Sequence, residues 1–271
     1  MNSTSHYALL PPYEQDFHIG FNIFKDLTTM RPHWHEHLEF LYVTRGTGTF
    51  IVNGEKISVL PSDLVIAEPN SPHVLLSDSG IDYECLLIRT DLFNSDELEE
   101  MHFLSHIRAD MAVSKLFAKI KDEFSIGGNM SNMRKKALAY SLIVHLIRTH
   151  VAPLRTEEYK ESRLLTLSRI NIIEQYISEN YKGKITVSDL AKLLYVSESH
   201  FCRFFKKAIG ISAIEYLNVF RIGKSEQLLR ETDLSITEVA SLSGFENSNY
   251  FSRIFRRIMK QTPSEYRASK A

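Results

Sequence analysis

The hydrophobic pattern of the chain changes period partway along. Between residues 20 and 90, runs rich in β-branched and aromatic side chains (39–44, 49–52, 64–67 and 83–89) alternate with turn signals. Those signals are Arg45-Gly46-Thr47-Gly48, Asn53-Gly54, Pro61-Ser62-Asp63 and Pro69-Asn70-Ser71-Pro72. Such runs read as short strands, and Asn53-Gly54 as a tight hairpin, because both residues tolerate positive φ. Short strands at near-regular spacing predict a sandwich or barrel. After residue 91 the period becomes helical. Val113, Leu116, Phe117, Ile120 and Phe124 share one stripe, and Gly127-Gly128-Asn129 breaks it. A second helix over 132–149 carries Leu138, Tyr140, Leu142, Ile143, Leu146 and Ile147 around most of its circumference. It needs cover on two sides. One side is assigned to its own barrel; the other fits a partner subunit and burial within one chain equally well. Pro153 and the charged residues 155–163 read as a linker.

The C-terminal part repeats itself. At an offset of 50, Phe201-Cys202-Arg203-Phe204-Phe205-Lys206-Lys207 lies over Phe251-Ser252-Arg253-Ile254-Phe255-Arg256-Arg257. Upstream, at an offset of 49, Thr186-Val187-Ser188-Asp189-Leu190-Ala191 lies over Ser235-Ile236-Thr237-Glu238-Val239-Ala240. A duplicated unit implies a duplicated task. Each copy reads as helix, turn, helix. Thr186 and Ser235 cap the first helices, with Asp189 and Glu238 completing capping boxes; Ser197 and Asn247 cap the second. In the second helices Phe201, Phe204, Phe205 and Ala208 form an apolar stripe, matched by Phe251, Ile254, Phe255 and Ile258. The opposite stripe is Ser199, Cys202, Arg203 and Lys206, matched by Asn249, Ser252, Arg253 and Arg256. Small polar groups permit close approach to base edges, and Arg can bond guanine in bidentate fashion. A lone basic stripe is usually a solvated face; two copies in register point to nucleic acid. Residues 214–230 form a long helix-compatible segment between the copies, which would hold two readers about one DNA turn apart, ~34 Å.

Residues 170–267 resemble the two-unit DNA-binding domain of the AraC family of regulators. The likeness rests on Phe201-x-Arg203-x-Phe205-Lys206-Lys207, Thr232-Asp233-Leu234-Ser235-Ile236-x-Glu238-Val239-Ala240, Gly244-Phe245 and Pro263-Ser264-Glu265-Tyr266-Arg267. The resemblance implies base-reading positions at Ser199, Cys202 and Arg203 in the first unit. In the second it implies Ser248, Asn249, Ser252 and Arg253. It also implies double-stranded operator DNA, a small-molecule effector, a second copy of the chain and RNA polymerase as partners. Tyr195 departs from the family by occupying a turn position where Gly is common, and a bulky residue at positive φ is strained. Cys202 departs as an unusual base contact.

Charge sharpens the division. Residues 161–271 carry 17 Lys and Arg against 12 Asp and Glu, whereas residues 1–160 carry 15 against 21. Only the second half is suited to polyanions. Two cysteines far apart, no basic and apolar leader and no long apolar run predict a cytoplasmic protein without membrane spans.

In the first half, His33-x-His35-x3-Glu39-x6-Gly46 resembles the first motif of cupin barrels. If this segment is extended, the three side chains face one side, and they suit Zn²⁺, Fe²⁺ or Mn²⁺ as donors. The second cupin motif is degraded: Asp63 replaces the usual Gly, Ile66 falls where the last His ligand belongs, and His73 follows in a different register. These residues therefore read as an organic effector site of His33, His35 and Glu39, and the resemblance to AraC-type regulators implies a sugar or related metabolite as its ligand. Purely structural roles stay open, and Trp34 and His37 are assignable to either face. No catalytic residue, cofactor or metal site is assigned.

The expected fold is α+β: a cupin-like β-barrel (7–90) with a helical dimerisation segment (92–150) making up domain 1–150. A linker over 151–164 and an all-α double helix-turn-helix domain over 165–271 follow. The expected function is effector-controlled, sequence-specific transcription regulation without enzymatic activity. The rival is a metal-dependent cupin enzyme with an appended DNA-binding module.

Overall fold

A computed structural model of the chain describes residues 19–94, 103–153 and 156–268. The expected barrel residues 7–18, helical-segment residues 95–102 and linker residues 154–155 lie outside these. The described strands are β1 (Ile19–His33), β2 (His37–Gly46), β3 (Gly48–Val52), β4 (Glu55–Val59), β5 (Leu64–Ala67), β6 (His73–Arg89) and β7 (His106–Ile107). They form one antiparallel sheet in the order β4-β3-β6-β2-β5-β7, with β1 also paired to β6, curled into a nearly closed barrel. The long β6 is its spine. It pairs β1 along its length, β3 through residues 73–76 and β2 through residues 81–89. Register shifts in β1 between Phe24 and His33 supply the bend that such a long ribbon needs. Asn53 and Gly54 both take positive φ, as the hairpin signal requires.

Alternation along β2 separates two cores. Leu38, Phe40 and Tyr42 point outward to a cluster shared with Leu64, Ile66, Leu86 and Ile88. Leu41 and Val43 point inward, to Met30, Phe50, Val65, Leu75, Tyr83 and Leu87. The outward cluster is covered by helices α1 (Met111–Ile126) and α2 (Ser131–Thr149), through Val113, Phe117, Ile120, Ala139, Leu142, Ile143 and Leu146. The sequence assigns α2 two covered sides; away from the barrel Met133 and Val144 are exposed, and Tyr140 is partly exposed while its hydroxyl donates to the Leu92 carbonyl.

The chain divides into two compact units between Tyr159 and Lys160. Helix α3 (Glu157–Asn180) starts inside the stretch read as linker. Its acidic first turn, Glu157 and Glu158, suits the positive end of the helix dipole. The second unit continues with α4 (Val187–Leu193), α5 (Glu198–Ile209), α6 (Ala213–Glu231), α7 (Ile236–Leu242), α8 (Ser248–Met259) and α9 (Pro263–Ala268). Reciprocal capping boxes start α4 (Thr186 with Asp189), α6 (Ser212 with Glu215) and α7 (Ser235 with Glu238). Each satisfies two backbone donors that the first turn leaves unpaired.

Helix α6 serves both repeats without a break. Near its start Tyr216 packs edge-on to Phe205 of the first unit, with ring centroids 5.7 Å apart. Further along, Ile222 and Leu229 enter the core of the second with Phe245, Phe251 and Phe255. From its middle, Arg221 donates to the carbonyls of Tyr181 (2.8 Å) and Gly183 (2.7 Å) and lies over the Phe245 ring. One guanidinium thus ties the end of α3 to the second helix-turn-helix.

The two turns differ instructively. Tyr195 takes φ of 55°, as a glycine-preferring turn demands, with its side chain 96% exposed. Its counterpart Gly244 has φ of 87°, and a Cβ there would sit 2.2 Å from the Tyr181 carbonyl oxygen. The first turn tolerates a side chain because solvent lies outside it; the second has no room. Gly244→Ala should destabilise the second unit by roughly 2–4 kcal/mol, from strain plus overpacking. Tyr195→Gly should change stability by less than about 1 kcal/mol, since relieved strain offsets added chain entropy. Chemical unfolding followed by helical circular dichroism checks the contrast, and equal effects at both sites would contradict it.

Candidate effector site and nucleic-acid interface

The three N-terminal site residues come together, but not on one strand. His33 ends β1, His35 lies in the connection, and Glu39 sits on β2 facing the barrel interior. A fourth residue joins them. His73 starts β6 directly opposite His33, with ring centroids 4.1 Å apart. One ligating atom from each of His33, His35, Glu39 and His73 falls within 4.8 Å of all the others. By its motif register His73 falls outside the expected ligand set, and residue 66 is where the last ligand would belong. Ile66 pairs with Phe40 and faces the helices, so it lies on the wrong side of the sheet. The bend of β6 against β1, which no local motif encodes, is what delivers His73.

Glu39 is the hub. One of its oxygens, Oε2, lies 2.8 Å from Nε2 of both His35 and His73. The other, Oε1, accepts from the Cys85 thiol at 2.9 Å. Burial opposes ionisation of this carboxyl, yet the charge of His73 and hydrogen bonds from His35 and His73 hold it well below the usual carboxylate range. For His73, burial opposes charging, but the Glu39 carboxylate beside it raises its pKa. Its Nδ1–H donates to the Ser71 carbonyl at 2.8 Å, which fixes the ring and aims Nε2 at the cluster. Among the described residues, Nδ1 of the buried His35 has no hydrogen-bond partner. Burial, His35 and Arg89 lower the pKa of His37 to about 4. It stays neutral, edge-on to His35. Trp34 is buried, so it offers no open stacking face. Cys85 was not foreseen as part of the site; its place on β6 opposite Leu41 puts it inside the barrel.

In the second unit Ser199, Cys202, Arg203 and Lys206 are all exposed along α5. In α8 Asn249, Arg253 and Arg256 are exposed, while Ser248 and Ser252 are half-buried. The opposite stripes, Phe201 and Phe205 in α5 and Phe251, Ile254 and Phe255 in α8, are buried. Caps agree with the sequence reading: Ser197 accepts from His200 N–H, and Asn247 from Asn249 and Tyr250 N–H. Arg253 lies over the Tyr250 ring at 5.3 Å, and Tyr250 in turn accepts from Asn218 of α6 at 3.1 Å. That stack restrains an otherwise flexible guanidinium. Among the described residues, no helix is long and apolar enough to cross a membrane.

Comparison with known proteins agrees with both halves. The family described as an AraC-like ligand binding domain matches residues 22–143, and a helix-turn-helix domain family matches residues 190–269. The uncharacterized HTH-type transcriptional regulator YdeC of Bacillus subtilis (strain 168) is 26% identical over 255 residues, covering 87% of this chain and 85% of that one. YijO of Escherichia coli (strain K12), also described as an uncharacterized HTH-type transcriptional regulator, is 38% identical over 110 residues, 39% of each chain. A variant of apo ToxT from Vibrio cholerae strain SCE256 shares the fold, with a TM-score of 0.51 and 14% identity over 96% of this chain and 100% of that one. This chain thus joins an AraC-like ligand-binding domain to a helix-turn-helix domain. It is a DNA-binding transcription regulator carrying an AraC-like ligand-binding domain.

The two thiols should differ sharply in reactivity. Cys202 is exposed, whereas Cys85 is buried. Burial and the neighbouring Glu39 charge push the Cys85 thiol up, away from the reactive thiolate. A thiol reagent should modify Cys202 rapidly in the native protein and Cys85 only after unfolding. Fast native modification of Cys85, located by peptide mass, would contradict the described barrel interior.

Proposed function

We propose that this regulator reads operator DNA through the exposed stripes of α5 and α8 and adjusts that reading to an effector held by His33, His35, Glu39 and His73. The observation that carries the DNA half is the duplication. Two helices present the same order of small polar, Arg and basic side chains, each anchored by an aromatic stripe and joined through α6. Arg203 and Arg253 supply base contacts, Lys206 and Arg256 phosphate contacts. The described part of the exposed α2 face, Met133, Tyr140 and Val144, supports a homodimer. The reading carries with it a cytoplasmic location and a contact with RNA polymerase at the promoter.

For the effector, the donor set fits a divalent transition-metal ion. Ligands about 2.0–2.2 Å from one ion lie roughly 3–4.4 Å apart, so a cluster whose ligating atoms all fall within 4.8 Å can close on one ion through side-chain adjustment. A ligating imidazole whose other N–H donates to a backbone carbonyl, as His73 does to Ser71, is the usual supporting arrangement. Deeper in the barrel Phe50, Leu75, Tyr83 and Leu87 fill the interior. The relatives' role in regulation favours sensing over catalysis at this cluster. The match to an AraC-like ligand binding domain favours a second reading, a sugar-like metabolite bound by the same polar groups.

Arg203→Ala and Arg253→Ala should each weaken operator binding by about 1–3 kcal/mol and relax preference at one base position. Lys207→Ala, off the stripe, should alter at most the salt dependence. Mobility-shift titration decides this, and unchanged affinity in either Arg variant would refute the chosen reading face. For the barrel, elemental analysis of purified protein should find Zn, Fe or Mn in an amount that falls in His73→Ala and Glu39→Gln. Removing that ion should change operator affinity in the parent but not in those variants. If no metal tracks His73, while a sugar at ~100 times its Kd stabilises the protein by ~2.7 kcal/mol, the second reading takes its place.

A further inference from the structure

Outside the barrel, a second set of metal-ligating side chains meets where the α1–α2 hairpin closes. Asp110 is the N-cap of α1: its Oδ1 accepts from Ala112 N–H (2.7 Å) and Val113 N–H (3.2 Å). That leaves Oδ2 directed away from the helix, 2.8 Å from His145 Nε2 and 2.7 Å from His150 Nε2. His145 lies one turn before the end of α2, and His150 is its C-cap. On a continuous helix, five residues place two side chains roughly 140° apart. His150 escapes that constraint because its backbone leaves the helix, at φ −132° and ψ 41°, while its N–H still bonds the Leu146 carbonyl. The Leu104 N–H bonds its carbonyl in turn. Both imidazoles are thus aimed at one carboxylate oxygen by backbone that is itself hydrogen-bonded.

We propose that Asp110, His145 and His150 form a second, independent binding site for a divalent transition-metal ion of the Zn²⁺ type, clasping the two ends of the α1–α2 hairpin. Their ligating atoms all lie within 4.8 Å of one another. Two imidazole nitrogens with one carboxylate oxygen suit Zn²⁺ and its transition-metal neighbours rather than Mg²⁺ or Ca²⁺, which prefer all-oxygen sets. The side chains are partly exposed, at 16% for Asp110, 23% for His145 and 24% for His150. An ion can therefore reach the site, and water can complete its coordination. The ligands come from α1 and α2, none from the strands that carry the barrel cluster, so the two sites fill separately. An ion here would fasten the last turn of α2, immediately before the chain leaves the first unit.

The test uses the full-length chain, stripped of metal by a chelator and dialysed against Zn²⁺. The parent is compared with Asp110→Asn, with His145→Gln/His150→Gln, and with the same changes in a His35→Ala/His73→Ala background that disables the barrel cluster. Asn retains N-capping, so Asp110→Asn preserves the hairpin, and circular dichroism verifies folding of every variant. The expected result is that the barrel-disabled protein still binds an equivalent of Zn²⁺ that raises its melting temperature. Both the equivalent and the shift disappear when His145 and His150 are replaced, and Asp110→Asn weakens binding at least tenfold. Binding that is unchanged by the hairpin substitutions, or absent from the folded barrel-disabled protein, would overturn the proposal. Neither of those outcomes bears on the barrel site, whose own variants report separately.

Discussion

A carboxylate taken out of water without partners costs several kcal/mol, and Glu39 is 1% exposed on a strand whose neighbours are almost all hydrophobic. Its burial is offset by three groups from separate parts of the chain: His35 before β2, and His73 and Cys85 from opposite ends of β6. That requirement fixes where the end of β1, the start of β2 and the start of β6 must meet. The bends of β1 against β6 meet this demand. The same charge makes the site chemically distinctive, because it gathers imidazoles that would otherwise be costly to bury together.

Two-sided burial explains the rest of the first unit. β2 and β5 are covered on one face by barrel interior and on the other by α1 and α2. Over residues 38–43 and 64–67 their sequences are correspondingly apolar everywhere except at Glu39, which hides the alternation of a half-exposed strand. Parity therefore matters more here than composition. A one-residue shift would exchange Glu39 for Phe40 and bring Ile66 inward.

The second unit solves a different problem, holding two copies of a small motif in fixed relation. Helix α6 packs against both pairs of short helices, through Tyr216 on Phe205 and through Ile222 and Leu229 in the second core. Arg221 and the close packing at Gly244 add a polar and a steric lock between the end of α3 and the second turn. Rigidity of this kind holds α5 and α8 at one fixed spacing, so little ordering would be left for a binding event.

The local chemistry of this chain was open to reading from the sequence. Asn53-Gly54 makes its hairpin, Thr186 and Ser235 make their capping boxes, and the aromatic stripes of α5 and α8 go inward while Arg203 and Arg253 stay out. Each depends on residues a few positions apart, where backbone geometry leaves few alternatives. His33, His35 and Glu39 were recognisable as a set from the spacing of a cupin-like motif, although they span the end of β1, the connection and β2. Membership of His73 and Cys85, the irrelevance of Ile66, and the meeting of Asp110 with His145 and His150 were not. These depend on which strand pairs with which, where β6 bends, and how α2 unwinds at His150. Such choices are made by packing over the whole domain, through contacts between residues far apart in the chain, and only the tertiary structure records them.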